Sequence, residues 1–167
     1  MNATQYVLTA RNIMATHLVT FAPDTSIFEA IRVLIRRQIS GAPVVGASGL
    51  LLGVLSEHDC LRVLSSDTFY AGEQEEAGFV RDFMTAPRLT IASDLDIYAI
   101  SHHFLNNSVR RLPVVEAGRL VGQVSRRDVL RGIDQISRKR LPRKVYPDYR
   151  QPAQPSVPRS PQLHPRV

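Results

Sequence analysis

"GVLSEHD", Gly53 to Asp59, is repeated almost unchanged as "GQVSRRD", Gly122 to Asp128. Each reads glycine, a variable residue, an apolar residue, serine, two polar residues and aspartate. Ser-x-x-Asp is a helix-capping spacing: the serine oxygen accepts a backbone N–H of the first turn, and the acid sits at the positive end of the helix. It is equally a carboxylate held at a helix start, where a ligand can reach it. The duplication decides the fold, because internal repetition fixes architecture before any single element does.

Working outward, the match extends over both halves of the chain. "NIMATHLVTFAPDTSIFEAI" at Asn12–Ile31 aligns with "DFMTAPRLTIASDLDIYAIS" at Asp82–Ser101, an offset of 70 residues. Met14 falls on Met84, Thr20 on Thr90, Asp24 on Asp94 and Pro43 on Pro113. The turn "GASGLLLG" is one residue longer than "EAGRLVG", so the offset becomes 69 and Ser56 and Asp59 fall on Ser125 and Asp128.

Each copy reads as β-α-β-β-α. A short extended segment (Leu18–Phe21; Leu89–Ile91) precedes a helix whose apolar stripe is Ile27, Ala30, Ile31 and Leu34, or Ile97, Ile100 and Phe104. "APVV" and "LPVV" are short buried strands, with proline at the strand start where no ladder N–H is needed. A glycine-bearing turn leads to a second strand, and a second helix begins at Ser56 or Ser125. Leu61 and Leu64, or Leu130 and Ile133, are expected on its buried side. Two short helices leave one sheet face uncovered, so the expected class is α+β, with two repeats packed sheet to sheet in a common core. Their bounds are 8–66 and 79–137, and the polar join Ser66–Gly78 is an exposed connection.

Composition agrees with an ordinary globular protein: 44% hydrophobic and 22% charged. The net charge of +6 is localised. Residues 138–167 carry eight Lys or Arg against one Asp, together with seven of the eleven prolines, so the remainder is close to neutral. That basic, Pro-rich tail holds too little apolar material to fold and is expected to be disordered. Cys60 is the single cysteine, which excludes an intrachain disulfide. The uncharged run Ile39–Ser56 contains Gly41, Pro43, Gly46, Gly49 and Gly53, which suits two strands around a turn and not a membrane span. With no signal-like N-terminus, the expected location is cytoplasmic.

The order Met-Thr, apolar strand, Pro-Asp turn, helix, Pro-Val-Val, Gly-apolar-x-Ser-x-x-Asp, present twice over about four-fifths of the chain, resembles the paired CBS (cystathionine beta-synthase) domain, or Bateman module. Copy one departs with "MAT" for "MT", and copy two with "ASDLD" for the proline turn. The resemblance implies a regulatory sensor of an adenosine-containing ligand (AMP, ADP, ATP or S-adenosylmethionine), requiring no other cofactor and acting on an unidentified regulated protein. It also implies a homodimer. Carried over by position, one cleft combines Ser125 and Asp128 with Thr16, Ser40, Gly41 and Ala42. The other combines Ser56 and Asp59 with Thr85, Arg110, Arg111 and Leu112. In the family the aspartate holds ribose hydroxyls.

The spacing alone leaves cap and grip both open. Ser26–Glu29 and Ser93–Asp96 show a similar spacing at helices where the family binds nothing, which favours a cap. A carboxylate can nonetheless take both hydroxyls of a cis-diol, and helix-start N–H groups or Arg110 and Arg111 suit a phosphate. Arg126 and Arg127 stand at a helix start against the dipole preference. No catalytic constellation is present. His102 and His103 are adjacent and point apart, Cys60 has no partner for metal or redox chemistry, and no phosphate-loop or dinucleotide glycine pattern occurs. Enzymes bearing this module, such as IMP dehydrogenase, need a separate catalytic domain, so the chain is expected not to be an enzyme. A contrasting reading makes the paired domains a dimerising scaffold, with the basic tail contacting nucleic acid or protein. Binding of that kind would rest on charge and fall with salt.

Overall fold

The computed structural model describes residues 7–65 and 78–140. The join at 66–77 and the tail from 141 onward, on which two of the expectations above fall, lie outside these residues. Copy one contains helix α2 (Ile27–Arg37), strands β1 (Gly41–Val45) and β2 (Leu51–Ser56), helix α3 (Glu57–Leu61) and a 3-10 turn at Arg62–Ser65. Copy two contains α5 (Ile97–Asn106), β3 (Arg111–Glu116), β4 (Arg119–Ser125) and α6 (Arg126–Arg140). Each copy is preceded by a one-turn helix, α1 (Ala10–Ile13) or α4 (Val80–Phe83).

The two hairpins are antiparallel and share one register. Gly41 faces Ser56 and Val44 faces Gly53; Arg111 faces Ser125 and Val114 faces Gly122. Each carries a bulge just past that glycine. Ala117 and Gly118 both have positive φ (47° and 78°), the geometry of a tight hairpin turn. The expected strands Leu18–Phe21 and Leu89–Ile91 shrink to single parallel bridges, Phe21 with Val44 and Ile91 with Val114. The polar turn follows at once, so nothing continues the ladder.

There are two cores where one was expected, and each is completed by the other copy's leading segment. Phe21, Ile27, Leu34, Val44 and Leu55 of copy one are packed with Val80 and Phe83 of α4. Ile91, Ile97, Ile100, Leu112 and Val124 of copy two are packed with Leu8 and Ala10 of the N-terminal leader. The exchange continues in the backbone. Thr85 forms an antiparallel bridge to Val54 on β2, and Ala15 one to Gln123 on β4. The copies also meet through a Leu50–Arg119 bridge at the strand starts.

The buried side of each second helix differs from the expectation. Leu61 and Leu64 are 63% and 51% exposed, and Leu130 and Ile133 are 65% and 50% exposed. The core side is instead Asp59 and Val63 in copy one, and Val129 and Gly132 in copy two. At Gly132 an added Cβ would lie 2.6 Å from Ile97 Cδ1, so α6 sits close upon α5. α6 also runs three residues beyond the boundary expected at 137.

Candidate functional site

The two Ser-x-x-Asp motifs close as capping boxes. Asp59 Oδ2 accepts from Ser56 N at 2.9 Å and from Ser56 Oγ at 2.5 Å, while Asp59 N donates to Ser56 Oγ at 3.3 Å. Asp128 repeats this with Ser125 at 2.9, 2.6 and 3.4 Å. The two similar spacings elsewhere do not close. Ser26 makes no side-chain cap, and α5 is capped by Asp96 Oδ1, which accepts from Ala99 N. Ser93 is buried and bonded to Arg11 and Glu116. Of the four Ser-x-x-acid spacings only the two of the repeated motif close reciprocally, and the cap does not answer the question against a ligand, because it uses only one carboxylate oxygen. Ser56→Ala is expected to destabilise the protein by about 1 kcal/mol, the usual loss of an N-cap, read as a lower denaturant midpoint with unchanged slope.

A cleft of about 940 Å³ opens between the copies. From copy one it is lined by Ser40, Gly41 and Ala42 and by the stretch Val54–Asp59, with Leu61 and Arg62. From copy two come Thr85–Leu89, Ser108–Arg111, Pro113 and Gln123. Of the residues assigned from sequence to one cleft, Ser56, Asp59, Thr85, Arg110 and Arg111 are together here. Leu112 is fully buried and is not part of the lining.

The other assignment is divided. Ser40, Gly41 and Ala42 line this same cleft, apart from Ser125, Asp128 and Thr16. The reason is register: Gly41 pairs directly with Ser56, so the residues before Pro-Val-Val lie beside the serine of their own copy. Arg111, paired with Ser125, likewise joins β4 of its own copy, while its guanidinium reaches across to the Gly41 carbonyl at 3.3 Å. Thr16 is exposed next to the Ala15 bridge.

Charge in the cleft is uneven. Arg62, Arg88, Arg110 and Arg111 outnumber the carboxylates Glu57 and Asp59, with His58 beside them. Asp59 is only 7% exposed, and no hydrogen bond engages its Oδ1 among the described residues. Such a group is a ready acceptor for hydroxyls, and planar guanidiniums lining the same cleft suit an anion. Ala42, Val54, Leu89 and Pro113 add apolar wall, the mixture usual for small-molecule sites. Arg62 and Arg88 were not singled out from sequence. The signal was available, since both lie within a few residues of Asp59 or Thr85.

Burial, followed by the charges of Asp59 and Glu57, pushes the Cys60 thiol up to about 11, so it is protonated at neutral pH and a poor nucleophile. No group of three or more metal-ligating side chains occurs among the described residues, and none of their helices is long and apolar enough to cross a membrane.

Comparison with known proteins bears on this geometry. The CBS domain profile matches residues 10–66 and 80–135. The chain is 27% identical over 121 residues to the uncharacterized protein MJ1225 of Methanocaldococcus jannaschii. It is 27% identical over 142 residues to the chloroplastic CBS domain-containing protein CBSX2 of Arabidopsis thaliana. The matches cover 72% and 70% of this chain but only 41% and 58% of those relatives. An inosine-5'-monophosphate dehydrogenase of M. jannaschii matches at 28%, over 76% of this chain and 24% of its own length. Among solved structures, CBSX2 in complex with AMP superposes with a TM-score of 0.67 at 29% identity, covering 77% of this chain and 98% of that one.

Proposed function

Because this chain belongs to the CBS-domain family, we propose that it is a regulatory module that senses an adenine nucleotide in the cleft between its repeats. The observation that carries the reading is a buried carboxylate, Asp59, with one oxygen uncommitted among the described residues, in a cleft that arginines of the other copy also line. Asp59 takes the ribose diol, the apolar wall takes the base, and Arg88, Arg110 and Arg111 take phosphate. The excess of arginine ranks AMP, ADP and ATP ahead of S-adenosylmethionine, whose sulfonium adds a positive charge. That CBSX2 is solved in complex with AMP supports an adenine nucleotide as the ligand.

A ligand that binds only the folded state raises its melting temperature by mass action. Millimolar AMP, ADP or ATP is expected to raise it, and S-adenosylmethionine to do so less. A scan with all four, at low and high salt, is the test. No shift from any of them removes nucleotide sensing. Binding of an oligonucleotide that vanishes with salt would favour action through the basic tail.

The module is proposed to regulate its partner as a homodimer. Exposed apolar residues recur at equivalent positions of both copies: Ile35 and Leu105, Leu61 and Leu130, Leu64 and Ile133. Such patches are usually covered, and two-fold pairing is the commonest way to cover them. Light scattering is expected to give twice the chain mass of 18.7 kDa, and Leu130→Asp to return the mass of a single chain. A single-chain mass for the unaltered protein defeats the proposal.

A further inference from the structure

The two aspartates of the repeated motif are not equally available. Asp128 matches Asp59 in its cap, but its remaining oxygen is taken: Arg131 Nη1 donates to Asp128 Oδ1 at 3.1 Å. Copy one has the corresponding arginine, Arg62, three residues after Asp59, yet it turns away and donates to the Phe83 carbonyl at 3.3 Å. The helices explain the difference. α3 ends at Leu61 and tightens into a 3-10 turn from Arg62, whereas α6 continues to Arg140, so Arg131 keeps the helical i, i+3 position that meets Asp128.

The phosphate end differs independently. By the repeat offset, Leu18 stands where the other half has Arg88, and Arg111, although paired with Ser125 of its own copy, turns its guanidinium across to the Gly41 carbonyl beside Ser56 at 3.3 Å. Arg126 and Arg127 are cations of the pseudo-symmetric half, but they stand on the same helix as Asp128. Arg126 is already directed to the Val109 carbonyl at 2.9 Å.

Resting on the nucleotide reading above, we infer that each chain holds one tightly bound nucleotide, gripped by Asp59, and that Arg131 latches the equivalent position by occupying the free oxygen of Asp128. An exposed ion pair of this kind shifts an equilibrium by about fivefold at most. The lack of a counterpart to Arg88 and the turn of Arg111 toward Gly41 supply the rest of the difference, and the latch accounts for the part that a single substitution can release.

Titration calorimetry of the full chain with AMP tests this. One AMP per chain is expected in the tight phase. Asp59→Asn is expected to weaken that phase by about tenfold or more, as for loss of a charged acceptor. Asp128→Asn leaves it unchanged. Arg131→Gln, at a side chain 72% exposed and so harmless to folding, is expected to strengthen the weak second phase by up to about fivefold. Two equivalent AMP per chain in the unaltered protein, loss of the tight phase in Asp128→Asn, or an unchanged second phase in Arg131→Gln each overturns the inference. Absence of any AMP binding overturns instead the nucleotide reading on which it rests.

Discussion

Gly53→Val is expected to lower the melting temperature by roughly 10 °C and to abolish nucleotide binding, the former corresponding to about 3 kcal/mol at this chain size. A Cβ at Gly53 would stand 2.9 Å from the Thr85 carbonyl oxygen and 2.9 Å from Met84 Sδ. The methionine can move, but the carbonyl is fixed in the Val54–Thr85 bridge, whose two hydrogen bonds measure 2.9 and 3.0 Å. Any side chain at position 53 must break that bridge. Thr85 to Leu89 line the cleft, so the same shift displaces its Arg88 wall. Gly46→Ala is the control: its nearest contact is the flexible Leu52 Cδ1 at 3.4 Å, and little change is expected. Thermal melts with and without AMP decide the matter, and an unaltered melting temperature in Gly53→Val would show that the leader is not pinned there. Gly122, with the Ala15 oxygen at 3.0 Å, plays the same part in copy two.

That glycine shows what could be read in the sequence and what could not. Its recurrence before Ser-x-x-Asp marked the hairpin and the repeat, and both hairpins form with Pro43 and Pro113 at equivalent places. The reason for the glycine is a contact between copies. Two segments of one pattern give no local sign of which core each will join, so the exchange of leaders was invisible. The second helices carry two apolar stripes for the same reason. Leu61 and Leu64 outweigh Val63 in hydrophobicity, yet Val63 faces the core and the leucines face outward, a choice made by the packing of α2 and α4 and not by composition. The site was partly legible. Asp59 and Arg111 were chosen by motif and do share a cleft. Ser40, Gly41 and Ala42 line the cleft that holds Asp59, and counting back from the hairpin turn, which pairs Gly41 with Ser56, gives that neighbourhood from sequence. The engagement of Asp128 by Arg131 depends on how far α6 continues, which no motif encodes.

The largest effect is expected from the exchanged leader. Deletion of residues 1–14 should unfold copy two, although every deleted residue lies before or at the start of copy one in sequence. Leu8 and Ala10 are 1% and 0% exposed within the second core, and burial of one such leucine contributes roughly 1.5–3 kcal/mol. Ala10 N donates to the Leu95 carbonyl, Arg11 N to the Ser93 carbonyl and Ile97 N to the Leu8 carbonyl, each at 2.8 Å, so the start of α5 would lose its backbone partners as well. Removing them together approaches the whole stability of a small domain, about 5–15 kcal/mol. A fragment of residues 79–140 should fail for the same reason. Two such fragments exchanging α4 would have no residue where Leu8 belongs, and a fragment lengthened by one residue would place only Gly78 there, leaving a cavity of the kind that costs about 2–5 kcal/mol. Hydrogen exchange on the truncated chain is expected to show protection lost first from β3, β4 and α5 while β1 and β2 retain theirs. A folded, monomeric fragment with native protection in β3 and β4 would show that copy two closes its core without the leader.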